Sequence, residues 1–79
     1  MNIQQPTKSK YMKVPTEIIE LARKYITHGD VQKIADISGL KRYDIEKVFD
    51  LDINSKPEAI AAVAAYYKEK ESILSDYLN

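Results

Sequence analysis

Residues 30–49 read "DVQKIADISGLKRYDIEKVF", and the fold turns on how this stretch bends. Val31, Ile34, Ala35 and Ile37 recur at helical spacing behind Asp30, a residue type that caps helix starts. "SGL" at 38–40 puts Gly39 where a tight turn needs a positive φ. Beyond it, Ile45, Val48 and Phe49 line the inner face of a further helix. The stretch therefore predicts two short helices folded on each other across a glycine corner.

Upstream, Pro15 fits the first turn of a helix with Thr16 as an alternative cap, and Glu17 and Glu20 lie where the helix dipole favours acids. Ile18, Ile19, Ala22, Tyr25 and Ile26 give this helix one apolar face to about Thr27, with Arg23 and Lys24 near its C-terminal end, His28 at its end and Gly29 as its stop. Downstream, "DLDIN" reads as a loop. "SKPE" then reads as a helix start, with Ser55 as N-cap, Pro57 in the first turn and Glu58 as the capping-box partner. The last helix spans about 56–77, roughly 30 Å at 1.5 Å per residue. Its alanines at 59, 61, 62, 64 and 65 allow close packing on the other helices, whereas "ILSDYL" projects beyond them. Ile60, Val63, Tyr67, Leu74 and Tyr77 follow a near-heptad rhythm that Lys70 interrupts. Tyr67, Ile73, Leu74, Tyr77 and Leu78 are the candidate dimerisation residues.

The 79 residues fit one domain, close to the lower size at which a core holds without disulfides or metals, so oligomerisation is expected. Apolar residues at 44% against charged residues at 30% exclude general disorder. The absence of cysteine removes disulfides, thiolate metal sites and thiol nucleophiles. The longest apolar run, "AIAAVAAYY" at 59–67, falls far short of the roughly 20 residues that span a bilayer, and no secretory signal pattern opens the chain. Twelve cations balance twelve anions, yet residues 1–14 hold Lys8, Lys10 and Lys13 without an acid, while 51–79 hold more acids than bases. Any affinity for nucleic acid must then be local, because a domain-wide basic field is missing.

At Ala35, Gly39, Leu40, Ile45 and Val48 the chain resembles the helix-turn-helix of phage repressors and other prokaryotic regulators, over about residues 31–50. "YITHGDVQKIADISGL" is also similar to short regulators of phages and mobile elements in which "GD" or "GN" leads into the first helix of the pair. The fold class expected is all-α. A flexible basic arm over 1–14 precedes a single helix-turn-helix domain over 15–79 of about four helices, the last one long. The resemblance implies a sequence-specific double-stranded DNA-binding transcriptional regulator, repressor-like, that acts as a homodimer in the cytoplasm of a bacterial host cell.

In that geometry the helix after the turn lies in the major groove, and its outward residues are Lys41, Arg42, Tyr43, Glu46, Lys47 and Asp50. Arg42 suits a guanine edge, Tyr43 a thymine methyl or a phosphate, Glu46 a cytosine amine and Lys47 a phosphate. Gln32 and Lys33 on the preceding helix, and Lys8, Lys10 and Lys13 on the arm, are candidate backbone contacts. A solvated face accounts for such residues equally. Asp44 and Asp50 repel phosphates unless turned away or paired, Asp44 for instance with Lys47 or Lys41.

One histidine, no cysteine and no glycine-rich phosphate loop argue against an enzyme, and the Asp50 and Asp52 pair lacks further metal-ligand spacing. No cofactor, metal or small-molecule substrate is expected. The competing expectation keeps the same helix pair for protein interaction or assembly, as in an antirepressor. Another is a small terminase subunit, which "SKPEAIAAV" also resembles and for which rings larger than dimers are the mark.

Overall fold

Four helices build the domain in the computed structural model, which describes residues 11–78. They are α1 (Thr16–Tyr25), α2 (Asp30–Ser38), α3 (Arg42–Phe49) and α4 (Pro57–Leu78). The protein is all-α, with a long C-terminal helix. Among the described residues the one departure from helix and loop is an isolated antiparallel bridge between Met12 and Ser55. Lys8 and Lys10 lie outside the described residues.

The buried apolar side chains come from every helix: Ile19 and Ala22 from α1, Ile34 and Ala35 from α2, Ile45 and Val48 from α3, and Ala59, Ile60, Val63 and Tyr67 from α4. α4 packs against each of the other three helices, and α2 packs on α3. The alanines at the front of α4 fit this role, because a small side chain lets neighbouring backbones come close. Ala59 is fully buried.

Several helix ends differ from their expected form, each for a local reason. α1 stops at Tyr25 because Ile26 turns extended and the Thr27 amide and hydroxyl both donate to the Asp30 carboxylate, at 2.9 and 2.8 Å. Asp30 is consequently the first residue of α2 and turns its side chain back, while Gly29 takes the capping position at φ 90°. Pro15 precedes α1, and its carbonyl accepts from the Ile18 and Ile19 amides. Ser55 does not cap α4 with its side chain, since its buried hydroxyl donates to the Asp52 carbonyl at 2.7 Å. Ile37 stays out of the core at 77% exposure, and Phe49 is half-buried with its ring edge-on to Tyr67.

Residues 12–14 do not belong to a flexible arm. Val14 is buried in the core, and the Met12 amide donates to the Ser55 carbonyl at 2.8 Å, so residues 12–14 are bound to the domain. Order is expected to begin near "VPTE" at 14–17, and the bond from Met12 to Ser55 carries it two residues further back, through a contact across the fold that no local periodicity signals.

Two left-handed residues close α2 and α3. Gly39, at φ 76°, returns its amide to the Ala35 carbonyl, and a Cβ there meets nothing within 4 Å. Backbone conformation is the demand at this corner. After α3, Leu51 takes φ 60°, with its amide bonded to the Val48 carbonyl and that of Asp52 bonded to the Lys47 carbonyl. This is a Schellman ending with leucine where glycine is usual.

Candidate nucleic-acid interface

The α2–α3 pair carries its apolar residues inward as the sequence predicts: Ala35, Ile45 and Val48 are buried and Leu40 packs against them. Because an α-helix turns 100° per residue, fixing Ile45 and Val48 inward sends Arg42, Tyr43, Glu46 and Asp50 toward solvent. Arg42, Tyr43, Lys41 and Asp50 are exposed, and Glu46 and Lys47 are partly so.

A row of polar contacts crosses the outer face from one helix to the other. Asp36 accepts from the Gln32 amide at 2.9 Å, the Gln32 carbonyl oxygen accepts from Arg42 Nη1 at 3.4 Å, and Arg42 Nε donates to Glu46 Oε2 at 3.0 Å. The guanidinium is thereby aimed outward between α2 and α3, with two of its donors in use. These contacts are solvent-exposed and exchange readily for ligand contacts, since such surface pairs contribute about 0–1 kcal/mol.

One helical turn along, the Lys47 ammonium lies 4.9 Å from the Tyr43 ring centroid and 5.7 Å from that of Tyr11. The rings fix a flexible lysine by cation–π attraction and join the segment before α1 to the outer face of α3. Tyr11 had no helical pattern around it, so nothing local in the sequence tied it to this surface.

Asp44 is turned away from this face and buried, and Lys56 Nζ donates to it at 3.2 Å. Its partner is therefore Lys56, from the loop before α4, and not Lys41 or Lys47. Asp44 is thus removed from the outer face, which keeps Asp36 and Glu46, and Asp50 remains exposed at the end of α3. Lys33 and Lys13 are exposed, on α2 and before α1 respectively.

The polar centre of the fold lies elsewhere, at the α1–α2 corner. Asp30 is 1% exposed and accepts five hydrogen bonds. Thr27 Oγ1 and Tyr66 Oη donate to Oδ1 at 2.8 and 3.1 Å, and the Thr27 amide, Tyr67 Oη and Lys70 Nζ donate to Oδ2 at 2.9, 2.8 and 3.0 Å. Burial by itself would raise the pKa of this carboxyl, yet the Thr27 amide, Lys70, the Thr27 hydroxyl and Tyr67 together hold it far below the usual carboxylate range. Burial, then donation to Asp30 and its charge, push the Tyr66 and Tyr67 hydroxyls up. The lysine that breaks the apolar rhythm of α4 is thus the counter-ion of Asp30.

This arrangement revises the dimerisation residues. Tyr67 is fully buried between Phe49, Tyr66 and Asp30 and presents no surface to a partner. Ile73, Leu74 and Tyr77 are exposed, while the Leu78 side chain lies outside the described residues.

Among the described residues no helix is long and apolar enough to cross a membrane, and no group of three or more His, Cys, Asp or Glu side chains could hold a metal ion. Compared with protein-family models, curated proteins and solved structures, the chain has no significant match.

Proposed function

We propose that the protein binds double-stranded DNA sequence-specifically, with α3 in the major groove, as a homodimeric transcriptional regulator of the phage or mobile-element kind. The observation that carries this reading is the outer face shared by α2 and α3. Arg42 is held outward between Gln32 and Glu46, Lys47 is flanked by two tyrosines, and Asp44 is withdrawn to Lys56. Arg42 is the base reader, since a bidentate contact to guanine O6 and N7 discriminates by about 1–3 kcal/mol. Glu46 serves as its positioning partner or accepts from cytosine N4. Gln32, Lys33, Lys41, Lys47 and Lys13 provide phosphate contacts, and Tyr43 a thymine methyl or phosphate contact.

With no net charge, a single domain has few phosphate contacts to offer. Two domains on paired half-sites double them and add avidity. The alternative, a helix pair that docks on protein during regulation or phage assembly, is favoured by the neutral charge and by exposed Leu51 and Ile53 beside the end of α3.

Selection of binding sites from random duplex DNA, repeated across salt concentrations, tests the proposal. Wild type should enrich an inverted repeat, Arg42→Ala should relax specificity at one position per half-site, and Lys47→Ala should weaken all sequences alike with a shallower salt slope. No enrichment even at low salt would end the DNA reading in favour of protein docking.

A further inference from the structure

The outer face of α3 has two flanks. On one, Arg42 and Glu46 lie toward α2, and Arg42 Nη1 reaches Gln32 at 3.4 Å. On the other, about 100° further round the helix, Tyr43 and Lys47 lie toward the segment before α1. There the Lys47 ammonium sits 4.9 Å from the Tyr43 ring centroid and 5.7 Å from that of Tyr11. Tyr11 is brought to this flank by the residues that follow it, since the Met12 amide is bonded to the Ser55 carbonyl and Val14 is buried in the core. Tyr11 and Tyr43 are themselves 40% and 63% exposed, so neither ring is part of the core. Lys47 is thus held without being neutralised. The ion pairs among the described residues join Arg42 to Glu46, Lys56 to Asp44 and Lys70 to Asp30, and none includes Lys47, although Asp50 follows it three residues on. A ring face attracts a cation through its quadrupole and has no net charge to cancel it. The ammonium keeps its charge for an anion, while its flexible stem loses freedom before the anion arrives.

We propose that Tyr11, Lys47 and Tyr43 form a second phosphate site, on the DNA strand across the major groove from the strand that α2 meets, and that Tyr11 is the positioning residue for Lys47. This site rests on the proposed function that sets α3 in the groove. A helix lying there has one phosphate backbone along each of its sides. With Gln32 of α2 toward one backbone, the opposite flank of α3 meets the other. The residues on that flank are Lys47 and the two tyrosines, with exposed Lys13 on the same segment as Tyr11. A domain without net charge gains most from this arrangement, because its few cations then hold both backbones instead of one.

Binding of the full chain to a short mixed-sequence duplex at low salt tests the role of Tyr11, because phosphate contacts do not depend on sequence. Tyr11→Leu should weaken binding about two- to fivefold. Tyr11→Phe, which keeps the ring, should bind like wild type. In a Lys47→Ala background Tyr11→Leu should change nothing further, whereas a merely structural effect of the ring would persist there. The strand is read by phosphate-ethylation interference on the inverted repeat that selection enriches. Lys47→Ala should lose sensitivity to ethylation on one strand of each half-site, and Gln32→Ala on the other. Tight duplex binding by Tyr11→Leu, failure of Tyr11→Phe to restore it, or a full further loss in the Lys47→Ala background would each overturn the role of Tyr11 and leave the DNA reading intact. Loss of sensitivity on the same strand in both variants would overturn the strand assignment. A wild type with no affinity for the duplex at low salt would overturn this site and the DNA reading together.

Discussion

Two polar clusters lie side by side on α2, with Thr27, Asp30, Gln32 and Arg42 lining one cleft, and they differ in their exposure to water. In the first, Thr27, Tyr66, Tyr67 and Lys70 converge on a buried Asp30 with Tyr67 itself buried; in the second, Asp36, Gln32, Arg42 and Glu46 meet in water. In the first, the buried Tyr67 hydroxyl and the half-buried Tyr66 and Lys70 share one buried acceptor, so its removal strands the Tyr67 hydroxyl and loosens the other two. In the second, water replaces any lost partner at little cost. The contrast separates a cluster that secures the fold from one whose contacts are available for exchange with a ligand.

Removing Asp30 should break the comparison most sharply. Asp30→Ala leaves the Tyr66 and Tyr67 hydroxyls without their acceptor and Lys70 with only the Thr27 hydroxyl, and should cost about 3–5 kcal/mol, read from the urea midpoint; a cost below about 1 kcal/mol would mean that the network does not secure the α1–α2 corner. A pH series probes the same cluster without mutation. The Asp30 pKa is depressed on folding, so its stabilisation is complete above the ordinary carboxylate value of 3.8 and is lost as pH falls below it. The Tyr66 and Tyr67 pKa values are raised above 10.0, so their part is complete below pH 10 and is lost as pH rises beyond it. Thermal melts should therefore show both an acid and an alkaline loss, and Asp30→Asn should flatten the acid one.

Gly39→Ala comes next, at about 1–2 kcal/mol, because its left-handed backbone is costly for any residue with a Cβ. Since the space around it is open, unbranched residues should cost little more than alanine, and β-branched ones more. The smallest effect on stability belongs to the outer face. Glu46→Ala should change the unfolding free energy by no more than about 0.5 kcal/mol. If Glu46 positions Arg42, the same variant should still lower sequence selectivity in the DNA selection, and unchanged selectivity would assign Glu46 no part in aiming the guanidinium.

The legibility of these features follows the range of the interactions that make them. The four helices could be read from the sequence because apolar spacing, Gly39 and the "SKPE" start are local signals. The ends of α1 and α2 could not, because the Thr27 amide bonds to a carboxylate that α4 helps to hold. The inward residues of the α2–α3 pair were legible as well, while the partner of Asp44 was not: Lys56 is twelve residues away, beyond any helical repeat. Tyr67 is buried although its place in α4 reads as a surface, for a related reason. A tyrosine in an amphipathic helix reads as interfacial until its hydroxyl is seen to have a buried acceptor.

The sequence by itself determined the all-α class, the glycine corner between α2 and α3, and the set of side chains that point away from that corner. Helical periodicity and backbone sterics act within a few residues, so they are written locally. Only the tertiary structure decided which charges are spent internally. Asp30 is held by Lys70 across forty positions, Asp44 is withdrawn to Lys56, and Lys47 is brought between Tyr11 and Tyr43. Those pairings depend on which helix faces pack together, and desolvation at these contacts, unlike propensity, acts without regard to distance along the chain.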